Sequence, residues 1–352
     1  MLKTVKFDQI IFTAILLAIF VSPALAQNAD YWISQGKTLY NQDRLSEAAD
    51  AYDKAIAIES GNLEALFGKA RALTGYDLNL TKSQTTWEKF GKELDRRLAE
   101  NPNDVQAWVL KGDRMLFFGS YNMSPYDMAL SIDPNNVRAL VGKGICLSGA
   151  AKISVEKGKY EDAMTFFDKA ITIDPNYADA WHYKGWALSQ QRRDDAIPVL
   201  DKAIALDPTN VNILGSKANA LVQLQRNSEA IPVLEKAISI NPNSYRLWAA
   251  IGHVYYWNCQ FEKAVEAYRK ALTLNPSDLD KKLLEDEITK IESRISLPYC
   301  SSTQPSGQQV TTQSPSNQNQ VPRQTSTPLS VITLVGGVGL GGMVYLFCKK
   351  RL

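Results

Sequence analysis

The residues able to do chemistry are few. The 352-residue chain holds two histidines, His182 and His253. No closely spaced Cys/His cluster, Gly-rich phosphate loop or nucleophile-elbow sequence accompanies them. A metal shared by the two would have to bridge distant segments, so both are read as solvent-facing. No catalytic residue, metal ligand or cofactor is assigned, and the protein is expected not to be an enzyme. Scattered carboxylates read as solvated helix faces. Two Asn-x-Ser/Thr sequons, at Asn79 and Asn122, fall in irregular stretches and are candidate glycosylation sites, although so short a motif also arises by chance.

The ends of the chain say where such groups would sit. Lys3 and Lys6 precede an apolar stretch from Ile10 to Val21, then Pro23 and the triplet Ala24-Leu25-Ala26, so residues 1–26 read as a signal peptide, with an uncleaved anchor as the alternative. Residues 329–348 carry no charge and are long enough for a transmembrane helix, and residues 349–352 supply a basic cytoplasmic tail. Those two features predict a single-pass cell-membrane protein with its N-terminal body on the extracytoplasmic side. Removal of the span as a sorting signal and a dilysine reading of Lys349 and Lys350 are the alternatives. Gly337 and Gly341 form a small-xxx-small pair suited to a homodimer. Between body and span, 22 of the 28 residues in 301–328 are Ser, Thr, Gln or Pro, too polar to bury a core, so this is read as a disordered stalk reaching roughly 30 Å. A formal net charge of +2 gives no reason to expect nucleic acid.

The elements that position the body repeat. Residues 194–210, DDAIPVLDKAIALDPTN, return as SEAIPVLEKAISINPNS at 228–244. Aligned copies beginning at Val211 and Tyr245 are 34 residues long; in the latter Trp248, Gly252, Tyr255, Ala264, Tyr268, Ala271 and Pro276 occupy positions 4, 8, 11, 20, 24, 27 and 32. Small residues where two antiparallel helices cross, large ones beside them and a helix-stopping proline make a helical hairpin that hides its apolar face only by stacking on a neighbour. Further copies begin at Ala29 and Ala178. Those at 63–104 and 137–177 have eight and seven extra residues, and 105–136 is two short. Seven extra residues are nearly two turns, so helix A of 137–177 is expected to lengthen through Ala150 and Ala151. Leu284, Ile288, Ile291 and Ile295 line one face of a cap helix over 279–295. That helix is expected to bring Cys300 to the same end of the stack as Cys259, making the two a disulfide candidate. Cys146 reads as a small buried residue and Cys348 lies at the inner edge of the span.

This pattern resembles the tetratricopeptide repeat (TPR) family. The resemblance implies an all-α, right-handed TPR α-solenoid over residues 27–300, of about seven helix-turn-helix repeats plus a C-terminal cap helix. It also implies that positions 2, 5, 9, 12 and 13 of each helix A face a concave groove. On residues 178–257 these are Asp179, His182, Trp186, Ser189 and Gln190; Asn212, Gly215, Asn219, Val222 and Gln223; and Arg246, Ala249, His253, Tyr256 and Trp257. Trp186, Tyr256 and Trp257 are the expected anchors, unless their rings pack on neighbouring helices. Ile33, Lys37, Phe67 and Arg71 do not reproduce the basic, Asn-containing clamp of chaperone-binding members. The function implied is a non-catalytic scaffold binding a protein or extended peptide; an envelope polysaccharide stacking on the same aromatics is the alternative.

Overall fold

The computed structural model describes residues 28–76, 80–154 and 157–295. The segments read as signal peptide, stalk, span and basic tail, together with Asn79, Cys300, Gly337 and Gly341, lie outside the described residues. Among those described, every regular element is an α-helix, and no helix is long and apolar enough to cross a membrane.

Fifteen described helices succeed one another, fourteen of them as hairpins. The pairs are α1 (Ala29–Asn41) with α2 (Leu45–Ile58), α3 (Leu63–Tyr76) with α4 (Leu80–Glu100), α5 (Val105–Phe117) with α6 (Ser124–Ile132), and α7 (Val137–Ser154) with α8 (Lys157–Ile173). Then come α9 (Ala178–Gln190) with α10 (Ala196–Leu206), α11 (Val211–Gln223) with α12 (Asn227–Ile240), α13 (Tyr245–Trp257) with α14 (Phe261–Leu272), and a final single helix α15 (Asp278–Ile295). The insertions become helix: α4 has 21 residues, and α7 and α8 have 18 and 17, so the extra residues of 137–177 are divided between both helices of the pair. Two compact units result, dividing at Ala150/Ala151 within α7.

Local chemistry sets the boundaries. Asn28, Asp104, Asn210 and Ser244 each cap a helix A, their side-chain oxygens accepting backbone N–H groups of the first turn. Two residues beyond helix A, Asp43, Gly119, Arg192, Gln225 and Cys259 all adopt positive φ, between 54° and 78°, where a left-handed residue turns the chain into helix B. The next amide closes that turn, as in Arg226 N to Leu221 O at 2.8 Å and Gln260 N to Tyr255 O at 2.8 Å. Only Gly119 meets this geometry without strain on a side chain.

The position-4 tryptophans tie successive repeats together. Nε1 of Trp108, Trp181 and Trp248 donates to the carbonyls of Pro102, Pro175 and Pro242, at 2.8, 2.9 and 2.9 Å. Small residues close the crossings: Ala48, Ala55, Ala196, Ala203, Ala230, Ala237, Ala264 and Ala271 are fully buried. In the first unit the position-24 tyrosines wedge between consecutive helices A. A Cβ on Gly142 would stand 2.3 Å from the Tyr126 ring, and one on Gly112 2.6 Å. Helix α15 buries Leu284, Ile288 and Ile291 against Ala264, Val265, Tyr268 and Ala271 of α14. Its start is capped by Ser277, whose Oγ accepts from Asp280 N at 3.1 Å.

Candidate functional site

In the second unit the helices A are α9, α11 and α13, and their groove positions divide by depth. His182 is 3 % exposed and Trp186 7 %, so neither presents its ring to solvent. This corrects the expectation that both histidines face solvent and removes Trp186 as an accessible anchor. The cause is the direct packing of α9 on α11: position 5 lies at that contact, and His182 Nε2 meets Ser216 Oγ of α11 at 2.8 Å. Burial without a charged partner depresses the His182 pKa to about 4, so the ring is neutral at physiological pH.

Of the remaining groove residues, Ser189 and Gly215 are buried and the others are half-buried or exposed. Gln223 Nε2 reaches Asn219 Oδ1 at 3.4 Å, and Gln190 Nε2 reaches Ser189 Oγ at 3.3 Å. Asp179, Arg246, His253 and Tyr256 are half-buried. Trp257, at the end of α13, is 53 % exposed, and its ring stands edge-on to Tyr256 at 5.4 Å. Its carbonyl accepts from Asn227 Nδ2 at 3.0 Å, which holds the turn in place. A ridge of amides ending in an accessible aromatic pair can hydrogen-bond a main chain and cover an apolar side chain.

His253 has a fixed setting. Its Nδ1 lies 2.7 Å from the hydroxyl of Tyr268, a buried position-24 side chain of α14. Burial raises the Tyr268 pKa far above the phenol range, with Glu287 adding to the rise. Burial lowers that of His253, against the opposing charge of Glu287.

The first unit uses the same positions differently. The Tyr126 hydroxyl, at position 24, donates to Oδ1 of Asp113, at position 9, at 2.7 Å. The other Asp113 oxygen accepts from Arg138 Nε at 2.9 Å, and Arg138 also bonds Glu64 of α3. Lys37 of α1 stands 3.7 Å from Glu64, and Gln106 Nε2 of α5 reaches it at 3.5 Å. Desolvation works to raise the Glu64 pKa, yet the Arg138 and Lys37 charges outweigh it and hold the carboxyl below its usual range. The sequence reading missed Glu64, Asp113 and Arg138. The available signal was a tyrosine at position 24 opposite an acceptor at position 9.

Elsewhere, Cys259 is exposed and has no disulfide partner among the described residues. Cys146 is buried, which pushes its thiol up to about 12, with Asp113 and Asp127 adding to the rise. Asn122 is exposed in the turn before α6, its Oδ1 accepting from Ser124 N at 2.9 Å. No group of three or more His, Cys, Asp or Glu side chains able to hold a metal occurs among the described residues.

Among known proteins, models of the tetratricopeptide repeat match residues 187–231 and 245–278, and a TPR-repeat model matches 151–191 and 218–258. No curated protein matches the chain. Among solved structures, MamA (residues 41 to the end) from Desulfovibrio magneticus RS-1 is 22 % identical, over 48 % of this chain and 94 % of that one, with a TM-score of 0.40. Yeast Tom70 is 16 % identical, over 78 % of this chain and 66 % of its own, at 0.48. A tetratricopeptide repeat protein from Parabacteroides merdae ATCC 43184 is 14 % identical, over 76 % of this chain and all of its own, also at 0.48. The matches place tetratricopeptide repeats within residues 151–278 of this chain.

Proposed function

We propose that the protein is a non-catalytic scaffold that docks a polypeptide partner on the groove of its second unit, displayed on the outer side of a membrane by its C-terminal span. Repeats of this family support an interaction role. One contrast carries the choice of groove: in the first unit Lys37, Glu64, Asp113 and Arg138 are paired with one another and Arg71 lies over the Tyr40 and Phe67 rings, whereas Asn219, Gln223, Tyr256 and Trp257 give the second amides and aromatic rings beside the charges of Asp179 and Arg246. An extended chain offers main-chain groups to such amides and a side chain to such rings.

The test is a photo-reactive residue at position 257 of the full-length protein, in cells that make it. A discrete adduct removed by protease, and lost when the residue is moved to exposed Lys202, supports polypeptide docking. The exposure of Trp257 also suits stacking on a sugar face, as an envelope-polysaccharide binder would use it. A protease-resistant, glycosidase-sensitive adduct would replace the proposed reading with that one.

A further inference from the structure

We propose that His253 is a tautomer-locked hydrogen-bond donor that recognises a main-chain carbonyl of the bound polypeptide, with Tyr268 as the positioning residue that fixes the proton. The inference rests on the groove reading above and adds the identity and polarity of one contact.

Tyr268 sets the direction of the bond. Its side chain is buried and its hydroxyl reaches a single partner among the described residues, His253 Nδ1 at 2.7 Å, so donation to that nitrogen is the arrangement that leaves the buried O–H satisfied. A neutral imidazole accepting at Nδ1 carries its proton on Nε2. The opposite nitrogen is thereby made a donor by a residue that no ligand touches.

Nε2 has no hydrogen-bond partner among the described residues and is not among the buried polar atoms left unpaired, and the ring is only partly buried. It is therefore an unspent donor on a half-buried ring. Asp113 shows how such a second site can be consumed: Arg138, at position 2 of the following helix A, takes its other oxygen. After the last hairpin comes α15 instead of another helix A. The charged group it brings toward His253 is Glu287, whose Oε1 accepts from Lys290 at 2.7 Å.

The same neighbour selects the ligand group. A neutral N–H beside the carboxylate of Glu287 favours a neutral acceptor over a second anion, and the Asn219 and Gln223 amides of α11 suit the same main chain. A peptide carbonyl meets both conditions.

Because the chain has two histidines, histidine-selective ¹⁵N labelling of the full-length protein in detergent gives two imidazole spin systems, and His253→Gln identifies one of them. The expected spectrum shows His253 wholly as the Nε2–H form, converting to a mixture in Tyr268→Phe. N-methylacetamide, a mimic of the peptide carbonyl, is expected to shift His253 Nε2 while leaving His182 unmoved, and acetate at equal concentration to shift it less. An Nδ1–H form or a mixture in the unsubstituted protein, no response to N-methylacetamide, or a larger response to acetate would each overturn the proposal. These readings need no natural partner, so they can fail while the position-257 adduct succeeds, and the reverse.

Discussion

Tyr126 and Tyr268 occupy the same repeat position and do the same thing locally, each donating to a position-9 side chain across its own hairpin at 2.7 Å. Their consequences differ with the helix that comes next in the stack. Behind Tyr126 stands another helix A, whose Arg138 takes the remaining oxygen of Asp113 and reaches on to Glu64, so the site closes into an internal ion network. Behind Tyr268 stands α15, and His253 keeps one nitrogen unpaired among the described residues. The position-9 group of a repeat is thus fully paired or left with one atom unpaired according to the helix that follows.

The largest effect is expected from breaking the closed site. Arg138→Met would leave Asp113 and Glu64, with side chains 4 % and 12 % exposed, without their main cation, and should cost about 3–5 kcal/mol in chemical denaturation. Hydrogen exchange should place the loss in residues 28–150 and leave 157–295 protected. Equal loss in both units would mean that the network is not local to the first.

Acid should act on the second unit. The His182 pKa is depressed from an ordinary value of about 6.5 to about 4 in the fold, so its contribution is complete above about pH 6.5 and is lost as the pH falls through about 4. Denaturant titrations from pH 7 to pH 4 should show roughly 2–3 kcal/mol of loss, removed by His182→Asn. A His182→Asn protein with the unsubstituted pH profile would locate the acid sensitivity elsewhere.

Crossing geometry gives a smaller contrast. A Cβ at Gly142 meets the wedged Tyr126 ring at 2.3 Å, whereas one at Gly185 meets the Leu200 side chain, at Cγ, at the longer 2.6 Å. Gly142→Ala should therefore cost about 1–3 kcal/mol and Gly185→Ala less, by thermal melting of each variant. The smallest effect is a gain. Gln225 holds φ 62° in a turn that Gly119 makes freely, so Gln225→Gly should raise stability by about 0.5–1 kcal/mol.

The hairpins were legible in the sequence because small and large residues recur at spacings that only two crossing helices satisfy. The insertion in 137–177 was legible in part: α7 lengthens as expected, whereas the lengthening of α8 and of α4 was not anticipated. Depth in the groove was not legible. Position 5 faces the groove or the next helix A according to how closely the two pack, and Ser216 opposite His182 carries no spacing signal that announces the contact. The Glu64–Arg138 pair spans 74 residues and three repeats, a separation at which local periodicity is silent. His253 and Trp257 stand at positions 9 and 13 of α13, but the contact that fixes His253 becomes visible only when position 24 is read together with position 9.

The contrast between the two grooves can be measured in one scan. Photo-reactive residues placed singly at Lys37, Gln106, Asn219 and Tyr256 of the full-length protein, in cells that make it, would be compared for polypeptide adducts at equal expression. Adducts are expected from positions 219 and 256 and not from 37 and 106. Equal yields across all four, or adducts confined to positions 37 and 106, would contradict a self-satisfied first groove and a receptive second one.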